Sequence, residues 1–276
     1  MGLGCLLAQA QQPPARSAVP LQAAGAASLS DSLLAKATAL YYSSAKSGLK
    51  SFDCQVHPDW KKMMESARNG AAVADDDPKL AVMSGVKIVL HARLTGESTL
   101  DWQAPAPAGS SRSKADADLL DRAHRDMENT WQGLLKLWIP LVDGSLAEGL
   151  GEDDVEIEQT ADGYVLRTQE KAKEAHESLM EEFDRSLTLK RSVSQDAGST
   201  VSLVPVFQPS TQGLLASGFD ATIQPAGAAT ESARRMHVTL EYQTVSGLQI
   251  PGKVSVELPG VVEMEFALDG CAVNTK

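Results

Sequence analysis

Residues 237–258 read HVTLEYQTVSGLQIPGKVSVEL, and their alternation decides the fold. Met236, Val238, Leu240 and Tyr242 alternate with His237, Thr239, Glu241 and Gln243. After the break at Ser246-Gly247, Val254, Val256 and Leu258 alternate with Lys253, Ser255 and Glu257. A period of two sends every second side chain to the same side of a strand, so each run has one apolar and one polar face. Val262, Met264, Phe266 and Leu268 continue the pattern against Glu263 and Glu265. Three such strands in succession predict an antiparallel meander covered on one side. None of these residues resembles a catalytic group, and the stretch reads as wall.

Further strands and the helices to cover them lie upstream. Ser30 caps a predicted helix carrying Leu33, Leu34, Ala37, Leu40 and Tyr41 at helical spacing, with Gly48 as its stop. A strand follows with Phe52, Cys54 and Val56 on one face, then a short helix after Pro58 that ends at Gly70. The acidic ADDDPK reads as a loop. Residues 86–94 and 97–102 form a hairpin turning at Thr95-Gly96. An exposed Pro/Gly/Ser connection at 104–117 leads into the strongest helix, near 116–139. There Leu120, Ala123, Met127, Trp131, Leu134 and Trp138 form one stripe, and Pro140 ends the pattern. Asp162-Gly163 predicts a hairpin turn that uses positive φ angles. A third helix is expected at 168–185, with Ala172, Ala175, Leu179, Met180 and Phe183 inward. Strands near 186–191, 200–207 and 213–223 precede an Ala/Gly/Ser loop at 225–233.

The expected architecture is therefore α+β. A large curved antiparallel β-sheet, an open half-barrel, carries helices over its concave apolar face. Residues 29–276 form a single domain with helical insertions near 116–139 and 168–185, behind a leader at 1–28. The 276 residues suffice for a sizeable core. The formal net charge of −11, with scattered basic residues, argues against a nucleic-acid partner, because phosphate binding needs clustered Lys and Arg.

The leader begins with a short apolar run that ends in Ala8-Gln9-Ala10, the small-x-small form of a signal-peptidase site. It reads as a signal-peptide remnant of an exported protein, periplasmic or otherwise in a bacterial cell envelope. A lipid-anchored Cys5 is the alternative, and Gly2 stands where that signal prefers Leu. No later stretch has the roughly 18 apolar residues needed to span a bilayer, which limits membrane contact to peripheral association. If Cys5 leaves with the leader, Cys54 and Cys271 remain, an even count that suggests a disulfide between the first strand and the last. Two separately buried thiols are the alternative.

The chemistry-bearing residues form no catalytic constellation, so no catalytic residue, metal site or cofactor is expected and the protein reads as a non-enzyme. His57, His91, His124, His176 and His237 sit at no metal-ligand spacing. Nucleophile-elbow, P-loop and dinucleotide motifs are missing. Glu156 and Glu158 alternate with Val155 and Ile157, which makes them the solvated face of a strand, and ADDDP lacks the spaced ligands of a calcium loop. What stands out is apolar. Met127, Trp131 and Trp138 face a sheet whose inward residues include Val238, Leu240, Tyr242, Val254, Val256, Met264 and Phe266. These ten are ordinary core if helix and sheet meet, and the walls of a binding site for an apolar ligand if they leave a gap.

Both ends of the chain resemble one family. The phrase Leu49-Lys50-Ser51-Phe52 after an amphipathic helix, and the closing strands with Tyr242, Gly247, Ile250, Pro251 and Asn274, are similar to the LolA/LolB-like superfamily of periplasmic lipoprotein carriers. The resemblance implies an open half-barrel lidded by helices, with an internal apolar cavity for acyl chains. It makes a non-catalytic carrier of a lipid or lipoprotein acyl chain the expected function. A cell-envelope structural or interaction module with a filled core is the alternative, and an exported hydrolase a more distant one.

Overall fold

The computed structural model describes residues 32–33, 35–106, 112–142, 155–169, 178–229 and 232–275. The leader, the centre of the 104–117 connection and residues 170–177 of the expected third helix, with Ala172, Ala175 and His176, lie outside them. A helical segment over 35–40 (α1) opens the described chain. It is followed by β1 (Leu49–Pro58), α2 (Trp60–Ala67), α3 (Pro78–Ser84), β2 (Lys87–Arg93), β3 (Ser98–Gln103) and α4 (Lys114–Val142). Nine strands complete it: β4 (Val155–Gln159), β5 (Gly163–Gln169), β6 (Ser178–Asp184), β7 (Leu189–Gln195), β8 (Ser199–Ser210), β9 (Gly213–Pro225), β10 (Arg234–Val245), β11 (Leu248–Leu258) and β12 (Val262–Thr275).

All twelve strands form one open antiparallel sheet in the order β3-β2-β1-β12-β11-β10-β9-β8-β7-β6-β5-β4. This is the α+β architecture that the alternation predicts. Its two edges, β3 and β4, are consecutive strands, and the chain must cross the sheet to join them. Helix α4, 29 residues long, makes the first part of that crossing, from β3 to β9. Its path is marked by side chains. His124 stacks on Trp102 of β3 at 5.1 Å, Trp131 meets Phe266 of β12 at 5.3 Å, and Trp138 reaches Tyr242 of β10.

Local chemistry places the helix ends. The Ser113 hydroxyl accepts from the Asp116 amide at 3.1 Å and donates to the Asp116 carboxylate at 2.7 Å, a side-chain N-cap at the start of α4. Pro140 does not end this helix, which runs on to Val142. A proline removes one ladder bond and strains its turn, but Ile139, Leu141 and Val142 are buried, and Ser44 N donates to Val142 O at 2.7 Å. Asp59 caps α2 through the Lys62 amide. Residues 74–77 of the expected loop ADDDPK are turn and coil, and its last two residues open α3: Asp77 accepts from Lys79 N, Pro78 takes the first turn, and Leu80 and Met83 are buried.

Three other expectations are corrected. Residues 178–184 are strand β6, not the end of a helix at 168–185. Its ladders to β5 and β7 pair Leu166 and Ser192 with Glu181. Period two then puts Leu179, Glu181 and Phe183 on the face opposite Met180 and Glu182. The first helix stops short of Gly48, because Tyr41 bridges to Leu214 and Tyr42 N donates to Leu214 O at 2.9 Å, so sheet bonds replace helical ones. At the β4–β5 turn, Gly163 is not in the positive-φ region. Glycine is required there because a Cβ would lie 1.9 Å from Phe183 O on β6.

Residues 41–49 act as a strap over one end of the sheet. The Tyr41 hydroxyl donates to Leu187 O and accepts from Leu189 N, tying down a turn in which Leu187 has φ 65°. The Tyr42 hydroxyl accepts from Gln249 N. Cys54 and Cys271 form a disulfide across β1 and β12. A register shift on β1 between Asp53 and Gln55 leaves Gly270 and Cys271 opposite Cys54, with Gly270 at φ 55°. That extra residue turns Cys271 toward the inner face already occupied by Cys54.

Candidate functional site

The ten expected cavity-wall residues converge beneath α4. Met127, Trp131, Trp138, Val238, Leu240, Val254, Val256, Met264 and Phe266 are each no more than 7% exposed, and they belong to one contiguous core. The tenth, Tyr242, binds the helix to the sheet. Its hydroxyl accepts from Trp138 Nε1 at 2.9 Å and donates to Ala216 O at 2.6 Å. Burial pushes the Tyr242 pKa up, so the hydroxyl stays a donor. Phe52 packs edge-on against Trp138 at 6.2 Å. In this half of the sheet, β3 to β9, the helix itself occupies the concavity. Trp131 Nε1 is buried there without a hydrogen-bond partner.

The other half, β4 to β8, lies beyond the reach of α4. Among the described residues it is covered by Leu33, α1 and the strap. An apolar crevice is lined by Leu33 and Ala37, by Ile157, Tyr164, Leu166 and Phe183 of the sheet, and by Leu187. Its free volume is about 10 Å³, room for about one water molecule. All lining positions are apolar or aromatic. Ile157, Leu166 and Phe183 are fixed by the β4–β5–β6 ladders, which set Leu166 opposite Ile157 and Tyr164 opposite Phe183.

Glu181 lies on the same face of the sheet, directly opposite Leu166 and two residues from Phe183, but does not line the crevice. It is 4% exposed, and its Oε2 has no hydrogen-bond partner. Burial pushes its pKa up to about 8. The expectation of a helix at 168–185 hid this residue. Counted as a strand, SLMEEFD puts Glu181 between Leu179 and Phe183 on the inner face.

The outer face of the sheet carries His57, His91 and His237. His91 Nδ1 lies 2.7 Å from Asp53 and its Nε2 3.3 Å from Asp101, and the hydrogen bond to Asp53 raises its pKa. His57 pairs with Asp269, and His237 with Asp220. A shallow groove includes Ser51, Asp53, His91, Arg93, Glu97 and Asn274. Both nitrogens of His91 face carboxylates, and the Ser51 hydroxyl accepts from Asn274, so this groove presents no nucleophile aligned with a base. Among the described residues no group of three His, Cys, Asp or Glu side chains could hold a metal ion.

Among the described residues, no helix is long and apolar enough to cross a membrane. The disulfide is compatible with an exported protein. Compared with protein-family models, with curated proteins and with solved structures, the chain matches none.

Proposed function

We propose that this chain is an exported, non-catalytic binding protein of a bacterial envelope or periplasm that carries the apolar chain of a lipid or lipoprotein. Its seat is the crevice between α1 and strands β4–β6. The observation that carries this reading is the unequal covering of the sheet. One half is packed by α4, whereas the apolar floor at Ile157, Leu166 and Phe183 is met among the described residues by Leu33, α1 and Leu187. A crevice closed to about 10 Å³ admits an acyl chain when α1 lifts, because each CH₂ withdrawn from water contributes about 0.8 kcal/mol. The signal-like leader, the disulfide and the resemblance of both chain ends to the lipoprotein carriers support the same reading.

Native mass spectrometry of the purified protein, with uptake of a fluorescent fatty-chain probe, tests it. The expected result is a bound lipid or probe in the wild type and its loss in Ala37→Trp, which fills the crevice. No lipid and no uptake would sink the proposal. The packing under α4 favours a second reading, an envelope interaction module with a filled core. A stable protein partner recovered from envelope extracts, with no lipid, would select it.

A further inference from the structure

We infer that Glu181 is a proton-operated latch on the strap: with its carboxyl neutral the strap closes on β6 and β7, and loss of the proton releases it. The latch is independent of what the crevice holds. Its basis is a carboxyl group built into a strand face with no charge to offset it. The ladders to β5 and β7 put Glu181 between Leu166 and Ser192, on the inner face with Leu179 and Phe183. The residue is 4% exposed, and its Oε2 has no hydrogen-bond partner.

Among the described residues no Lys or Arg forms an ion pair with Glu181. Lys190 is 3.1 Å from Asp184, and Arg191 lies by Glu182 on the opposite face. Arg167 of β5 is turned to that opposite face too and pairs with Glu158 at 2.9 Å. Lys36 of α1 is exposed, and Tyr164 of β5 lies opposite Phe183. The strap brings Tyr41, whose hydroxyl accepts from Leu189 N and gives its proton to Leu187 O. Leu189 is opposite Phe183, so the phenol holds the β6–β7 pair one side-chain step from Glu181 and has no proton to lend it. Burial raises the Tyr41 pKa first, and the charges of Glu181 and Asp184 add to the rise, so Tyr41 bears no charge near neutral pH.

A carboxylate without a cation or a donor must reach water to ionise. Strand β6 is held on both sides by continuous ladders, whereas the strap is fixed over β6 and β7 by the two bonds of one hydroxyl. The strap therefore yields before the ladders do. Proton linkage sets the direction. Burial lifts the Glu181 pKa from its ordinary 4.5 to about 8 while the strap is closed, and opening returns it toward the ordinary value. Below the ordinary value both states keep the proton and closure is fully favoured. Between the two values the open state has lost a proton that the closed state retains, so opening becomes easier by up to about tenfold per pH unit, and the gain levels off above the raised value.

Amide hydrogen exchange, read residue by residue by NMR at pH 5.5 and pH 8 in the wild type and in Glu181→Gln, tests the latch. Comparing the two proteins at one pH cancels the intrinsic chemistry of exchange. At the Tyr42 and Leu189 amides, the wild-type rate relative to the variant should rise about tenfold or more from pH 5.5 to pH 8. Both amides should also exchange faster than those of β1 and β11. A relative rate that does not move with pH overturns the latch. So does exchange at Tyr42 and Leu189 as slow as in β1 and β11, because the strap then opens only with the whole fold. Should Glu181→Gln fail to fold, the carboxyl-carbon titration of Glu181 in the wild type decides. A midpoint well above the ordinary carboxyl range upholds the latch, and one within that range overturns it.

Discussion

At the residue scale, the two tryptophans that face the sheet from α4 have different hydrogen bonding. Trp138 donates to Tyr242, which passes the chain on to Ala216 O, whereas the Trp131 indole N–H is buried unpaired beside Phe266. Both rings fill similar space, so a Phe in either place loses similar contacts. Only Trp138→Phe also removes a satisfied bond and leaves the Tyr242 hydroxyl short of a donor. It should therefore destabilise the protein by about 1 kcal/mol more than Trp131→Phe, the net value of one internal hydrogen bond. Urea unfolding of the two variants checks this, and equal losses would show that the Trp138–Tyr242 bond contributes nothing net. The apolar stripe of α4 is legible in the sequence. Which of its indoles finds an acceptor is not, because Tyr242 lies 104 residues away.

At the element scale, the junction of α1 with the strap, residues 40–42, and the β8–β9 hairpin depend on one glycine. Gly213 has φ 118°, and a Cβ there would lie 2.9 Å from Leu40 O, Tyr41 C and Tyr42 N. Both the backbone conformation and the close approach exclude a side chain. Gly213→Ala should cost about 2 kcal/mol or more and should speed hydrogen exchange at the Tyr42 and Leu189 amides, which the strap holds. Gly252→Ala is the control, since its Cβ would meet only Gln243 atoms at 3.4 Å or beyond, and it should change stability by less than about 1 kcal/mol. The strands β10–β12 could be drawn from alternation alone. The strap and β6 could not. Tyr41 and Leu40 fit a helical stripe just as well, and Leu179, Met180 and Phe183 satisfy a helix period as readily as they sit on a strand. Short segments with mixed patterns take the structure that their neighbours pair with.

At the scale of the molecule, β1 and β12 lie side by side although they open and close the sheet-forming chain, and the Cys54–Cys271 disulfide joins them across a sequence separation of 217. Closing so long a loop in the unfolded chain lowers its entropy, a stabilisation of about 5 kcal/mol in the chain-entropy treatment. The double variant Cys54→Ser, Cys271→Ser should lose stability of that order in denaturant unfolding. In the native wild type both thiols should resist alkylation until reductant is added. Alkylation of either without reductant would refute the bridge.

By itself the sequence determined the class of the fold. Alternation in β1, β2 and β10–β12, the stripe of α4 and the even pair of cysteines are local or countable properties, and each side chain declares its face within a few residues. The tertiary structure alone decided where the helix goes and what it leaves uncovered. Because β3 and β4 are opposite edges of one open sheet, α4 must cross the concavity, and its length lets it pack one half while the crevice of Ile157, Leu166 and Phe183 lies in the other. The burial of Glu181 follows from the same long-range arrangement, since a carboxyl in SLMEEFD faces solvent or core only according to which strands pair beside it.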